Sequence, residues 1–130
     1  MPVQVEWLIP NRVIISHLFG VIRLEDVESL LAQQQKFVAE GSPLVHHISD
    51  GLNIKSIEIR LKTFQLLMKG VPMSPKFGWH IDVTTNPVTR MTSTLVSQFL
   101  PVHVRTYSTV EEAIRFLKEI DPTLQEAEIR

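Results

Sequence analysis

The chain has no cysteine. That one absence removes disulfide frameworks, thiolate metal sites and cysteine nucleophiles together, and it fits a reducing compartment such as the cytoplasm. A charge excess is missing as well. Lys and Arg number 13 against 14 Asp and Glu, a formal net charge of −1, so nothing argues for nucleic acid or another polyanion as partner. No apolar run approaches the roughly 18 to 20 residues that span a bilayer. The opening stretch, MPVQVEWLIPNRV, lacks the basic, apolar and small-residue order of a secretory leader. Several catalytic and phosphate-binding fingerprints are missing too. There is no GxSxG elbow and no helical HExxH. Phe19-Gly20-Val21-Ile22-Arg23 carries neither GxGxxG nor the Walker spacing. No internal repeat or low-complexity tract is visible.

What remains is an ordinary globular composition: 130 residues, 44% apolar and 21% charged. A chain of this length reads as one domain able to bury a core without a disulfide or a metal. Val3 to Ile9 and Arg12 to Phe19 are strand-like, and Pro10-Asn11 between them signals a hairpin. Leu24 to Glu40 is apolar at helical spacing and stops at Gly41. Leu44 to Ser49 reads as a third strand that ends in an Asp50-Gly51 turn. A second helix is predicted over Ile57 to Lys69 with Ser56 as its N-cap. After the loop GVPMSPKFG comes a fourth strand, Trp79 to Thr85, then a helix opened by Asn86-Pro87 with an inner stripe of Val88, Met91, Leu95 and Phe99. Val102 to Tyr107 is a short fifth strand. Ser108-Thr109-Val110-Glu111-Glu112 offers two overlapping capping boxes for a last helix that buries Val110, Ala113, Ile114, Leu117 and Ile120. Asp121-Pro122 ends it, leaving 121–130 as a tail beyond a domain of 1–120.

The order ββαβαβαβα predicts an α/β fold: a mixed, mostly parallel five-stranded sheet with right-handed crossovers. In that frame the five histidines, His17, His46, His47, His80 and His103, all fall inside strands. Neighbours on a strand point to opposite faces, so His46 and His47 cannot share a metal. They read as half-buried, hydrogen-bonded strand residues; no metal or other cofactor is expected. Catalysis would need the C-terminal strand edge, which carries Ser49, Asp50, Thr84, Thr85, Asn86, Tyr107 and Ser108. An enzyme using Asp50 with His46 or His47 is the weakest of three functional readings.

The second helix supports the other two. Ile57, Leu61, Phe64, Leu67 and Met68 form an inner stripe, yet Ile59 and Leu66 fall opposite it, beside a basic line of Lys55, Lys62 and Lys69. Either the 70–78 loop covers Ile59 and Leu66, or this face is an interface, to a second copy or another protein. The alternative is a site for a small apolar ligand or lipid, lined by Phe64, Met68, Met73, Phe77 and Trp79.

The order of elements and the closing Ser108-Thr109-Val110-Glu111-Glu112-Ala113-Ile114-Arg115-Phe116-Leu117 segment resemble a STAS domain, the module of anti-sigma-factor antagonists and sulphate-transporter tails. More narrowly, the chain resembles SpoIIAA-like bacterial proteins grouped with lipid-binding Sec14-type domains. The resemblance covers about 3–120 and implies a non-enzymatic regulatory or interaction domain working by protein contact. It also implies a phosphorylation site. Where the family has Asp-Ser-Ser/Thr-Gly at the start of its second helix, this chain has Lys55-Ser56-Ile57-Glu58, so only Ser56 corresponds. A phosphate there would favour a helix N-terminus beside Lys55. Ser56 as a plain helix cap is the competing reading.

Overall fold

The computed structural model describes residues 2–72, 74–98 and 102–125, without the side chains at 92, 93 and 95–97. The elements are β1 (Val3–Ile9), β2 (Val13–Ile22), α1 (Leu24–Glu40), β3 (Val45–Ile57), α2 (Leu61–Lys69), β4 (Phe77–Val83), α3 (Pro87–Ser97), β5 (His103–Tyr107), α4 (Val110–Ile120) and a 3-10 turn, Pro122–Leu124. They build one α/β sheet in the order β1-β2-β3-β4-β5. The first pair is antiparallel and the other three are parallel. The hairpin turns at Asn11, whose φ of 66° an asparagine tolerates; behind it the Arg12 N–H donates to the Ile9 carbonyl at 3.0 Å.

The strand order fixes where the helices lie. From β2 to β5 each parallel strand is added on the same side of the last. Right-handed crossovers therefore put α1, α2 and α3 on one face of the sheet. Only α4, which follows the last strand, is left for the other face. Side-chain alternation agrees. On the α4 face Val13, Ile15, Ile48, Ile81 and Val83 pack against Ala113, Leu117 and Leu124. On the opposite face Leu18 and Ile22 meet Val27, Leu30 and Met68, while Ile14 and Val45 meet Val38.

Two strands run longer than the sequence predicts. β2 passes through Gly20 (φ +74°) to Ile22, with register shifts around the glycine. The extra residue at that shift is Lys55 on β3; Gly20 lets β2 bend beside it in a left-handed conformation that glycine adopts without strain. β3 does not stop at Asp50-Gly51. His17 lies opposite Asp50 and Phe19 opposite Asn53, so β3 holds one extra residue there; it holds a second, Lys55, beside Gly20, and still pairs with β2 as far as Ile57. The Asp50 carboxylate accepts from the Leu52 N–H at 3.1 Å. The local turn chemistry of Asp-Gly is thus realised as a bulge within a strand rather than as its end.

That extension displaces the second helix, which begins at Leu61 after Arg60 instead of at Ile57. Ser56 is an exposed strand residue and caps nothing. The third and fourth helices start as predicted. Asn86 Oδ1 accepts from the Val88 N–H at 2.8 Å, and Thr109 Oγ1 accepts from the Glu112 N–H at 3.1 Å. Of the third helix's expected inner stripe, Val88 and Met91 are exposed instead of buried, and Phe99 and the Leu95 side chain lie outside the described residues.

The packed body reaches beyond Ile120. Leu124 is fully buried in the α4 core. Asp121 accepts from Arg12 Nη2 at 2.8 Å and from His46 Nε2 at 2.9 Å. Residues 121–124 therefore lock the C-terminal segment to the sheet, and 126–130 lie outside the described residues.

Candidate functional site

His46 and His47 do point to opposite faces, and each is held in one tautomer. On the α4 face, His46 Nδ1 accepts from the Trp79 N–H at 2.9 Å, so Nε2 carries the proton donated to Asp121. The close approach of β4 depends on Gly78, where a Cβ would collide with the His46 ring. Burial holds the His46 pKa below its usual value, outweighing the opposing pull of Asp121.

On the other face, His47 Nδ1 lies 3.0 Å from Gln34 Oε1 and Nε2 lies 2.8 Å from Ser16 Oγ. The amide oxygen accepts, so Nδ1 donates and Nε2 accepts from the serine. Ser16, His47 and Gln34 have the connectivity of a serine–histidine–acceptor triad. Their setting differs: Ser16 and His47 are fully buried, and neither reaches a cavity wall. The imidazole is pushed down to about 3 by burial, with the neighbouring His80 adding to the effect. We read the trio as a satisfied polar joint between β2, β3 and α1.

Asp50 partners neither of the adjacent histidines. Its carboxylate takes His17 Nδ1 at 3.1 Å. It stands four residues along the strand from His46, roughly 13 Å, and points to the face opposite His47. The pairing of Asp50 with His46 or His47 is therefore overturned. Among the described residues no three His, Asp or Glu side chains gather as metal ligands.

The main concavity lies between the sheet and the three crossover helices, with a volume of about 570 Å³. Its apolar half is walled by Leu18, Ile22, Leu30, Leu31, Phe64 and Met68. Its other half is floored by Ser49, His80, Asp82 and Thr84 on β3, β4 and the strand end, with Gln34 reaching over from α1. His80 Nε2 and Asp82 Oδ1 are 2.9 Å apart. Burial alone would lower His80, but the charge and hydrogen bond of Asp82 outweigh it and raise its pKa. At the mouth, Ile57, Leu61 and Val88 are exposed apolar residues that also line the cavity, and Lys55 stands among them.

Of the ligand site predicted from sequence, Phe64, Met68 and Phe77 line this cavity. Trp79 does not belong to it. It faces α4, stacked on His103 and edge-on to Phe116, because strand alternation sets it opposite His80. Met73 lies outside the described residues. Ser49, Thr84 and Asn86 of the strand-edge set do line the cavity. The interface residues are divided. Ile59 sits before α2, half-buried against the core, so it shares no helical stripe with Leu66. Leu66 is 63% exposed on α2. Lys62 and Lys69 are exposed on the same helix, while Lys55 belongs to β3. Ser56 lies at the cavity mouth on a strand, away from any helix N-terminus. Sequence reasoning missed Gln34 and the His80–Asp82 pair as site residues. Their signal was a period-2 run of polar side chains, His80, Asp82 and Thr84, on an otherwise apolar strand.

Among similar solved structures is an uncharacterized protein of the DUF3478 family with a SpoIIAA-like fold, from Shewanella loihica PV-4. The match has a TM-score of 0.62 and 14% identity, covering 88% of this chain and 91% of the other. The chain has a SpoIIAA-like fold. No family model matches it, and no curated protein is similar to it. The expected STAS-like architecture thus holds at the level of fold. Among the described residues, no helix of this SpoIIAA-like domain is long and apolar enough to cross a membrane.

Proposed function

We propose that this domain binds a small apolar or amphipathic ligand in the cavity between its sheet and its three crossover helices, without catalysing a reaction. One observation carries the reading. The cavity, about 570 Å³, falls within the size of small-molecule sites, and it combines apolar walls with a few convergent polar groups. Exposed Ile57, Leu61 and Val88 lead into it. An apolar residue at a cavity mouth has a use there that a stray surface residue lacks.

The test is native mass spectrometry of protein purified from cells, followed by uptake of a neutral apolar dye. A copurifying apolar mass, or dye uptake abolished by filling the cavity with Leu31→Trp, supports the reading. A clean apo mass together with no dye uptake would sink it.

A second reading, contact with a protein or a second copy, rests on Leu66, which stands 63% exposed on α2 between Lys62 and Lys69. Apolar centre and basic rim suit an interface, and a cytoplasmic regulatory role would follow. Sedimentation of wild type beside Leu66→Asp separates the outcomes. A dimer lost in the variant supports self-contact, and a wild-type monomer counts against it.

A further inference from the structure

The polar half of the cavity says what kind of head group it suits, which builds on the ligand-binding reading above. Lys55, His80 and Asp82 are the charge-bearing residues among its described lining. Lys55 is exposed at the mouth, on the strand extension beyond the Asp50 bulge. Deep in the site, His80 gives its Nε2 hydrogen to Asp82, so that ring donor is already taken by a carboxylate fixed to the same strand. β3 and β4 pair in register, Ser49 beside Asp82 and His47 beside His80. Ser49 and Asp82 are therefore neighbours across adjacent strands on the cavity face, and Thr84 continues the line at the strand end.

An anionic head entering here would leave water to face Asp82, with the Nε2 hydrogen of His80 already committed to that carboxylate. Taking a charge from water without a partner is costly. A cationic head would meet His80 at the same carboxylate. A hydroxyl both donates and accepts, so it satisfies Asp82, Ser49 and Thr84 without adding charge. The apolar half then takes the rest of the molecule, between Leu18, Ile22, Leu30 and Met68.

We infer that the cavity selects an amphiphile with an uncharged, hydroxyl-bearing head seated against Ser49, Asp82 and Thr84 and an apolar body lying under α1 and α2. Long-chain alcohols and monoacylglycerols belong to this class; free fatty acids and long-chain amines do not.

The experiment is displacement of a neutral apolar dye, Nile red, from the intact chain at pH 7.5 by 1-dodecanol, dodecanoate and dodecylamine. Dodecanol is expected to displace it at a concentration roughly tenfold lower than either charged analogue, a difference of about 1.4 kcal/mol. In D82N the gap to dodecanoate narrows to roughly threefold or less. S49A weakens dodecanol several-fold and leaves dodecanoate where it was. Dodecanoate or dodecylamine binding as tightly as dodecanol to wild type overturns this head-group assignment while leaving the cavity reading intact. Failure of the dye and of all three probes to bind overturns the cavity reading itself, and this inference with it.

Discussion

The two faces of the sheet are built from one set of strands and end in opposite conditions. On one, a single helix and a 3-10 turn leave Ile48, Ile81, Val83, Ala113 and Leu124 fully buried. On the other, three helices leave a cavity. The reason is topological. α1, α2 and α3 each have to bridge neighbouring strands of a twisted sheet, so their spacing follows the strands. α4 bridges nothing and settles where packing is best, clasped by Arg12, His46 and Asp121. The adjacent histidines report the same difference. His46 ties the closed face to the C-terminal segment, and His47 ties the sheet to α1 beside the open one.

Truncations on the two faces should separate most widely. Leu117→Ala empties a space in the closed core and is expected to cost about 3 kcal/mol. Leu31→Ala only enlarges an existing cavity from a half-buried wall and should cost about 1 kcal/mol. Urea midpoints read both. Equal losses would mean that the open face is as tightly packed as the closed one.

Acid sharpens the comparison at the histidines. His47 is held at about 3 when folded, against 6.5 for a free imidazole. The unfolded chain therefore takes up a proton that the folded chain refuses. Stability from this group is complete above pH 6.5 and is lost as pH falls toward 3. By pH 5 the loss reaches about 2 kcal/mol. His80 acts in the other direction. Its raised folded pKa gives stability that is complete below pH 6.5, the unfolded value, and is lost as pH rises from there through the higher folded pKa. Urea midpoints between pH 7.5 and 5 should fall, and imidazole resonances should show His47 still neutral at pH 5. A His47 that titrates near 6.5 would place water at the buried joint.

The sequence carried the closed face better than the open one. Element order, crossover hand and strand alternation suffice to bury Ile48, Ile81 and Leu117, and the capping chemistry of Asn86 and Thr109 is local. What escaped was set by partners distant in the chain. Asp50-Gly51 has real turn chemistry, but β2 continues alongside, and pairing with Phe19 to Ile22 turns the turn into a bulge. Once β3 extends to Ile57, Ser56 can no longer cap a helix and Ile59 can no longer lie on one. Trp79 is expected in the ligand site beside Phe77, but the register shift before His80 and strand alternation send it to the α4 face. Gln34 carries no local signal; it is one polar position on α1, and only the fold sets it against His47.

The smallest effect is expected on α2, and it tests whether that helix belongs to the open face only by one side. Leu67 packs against the Leu18–Leu30–Met68 cluster. Leu66 is 63% exposed, so it has little apolar area to lose. Leu66→Asp should therefore cost no more than about 0.5 kcal/mol, the difference in helix propensity. Leu67→Asp forces a carboxylate against apolar walls and should cost several-fold more. The pair is measured by urea denaturation at low protein concentration, where self-association contributes nothing to stability. If Leu66→Asp proves as damaging as Leu67→Asp under those conditions, Leu66 is covered within a single chain, and the case for α2 as a contact surface falls with it.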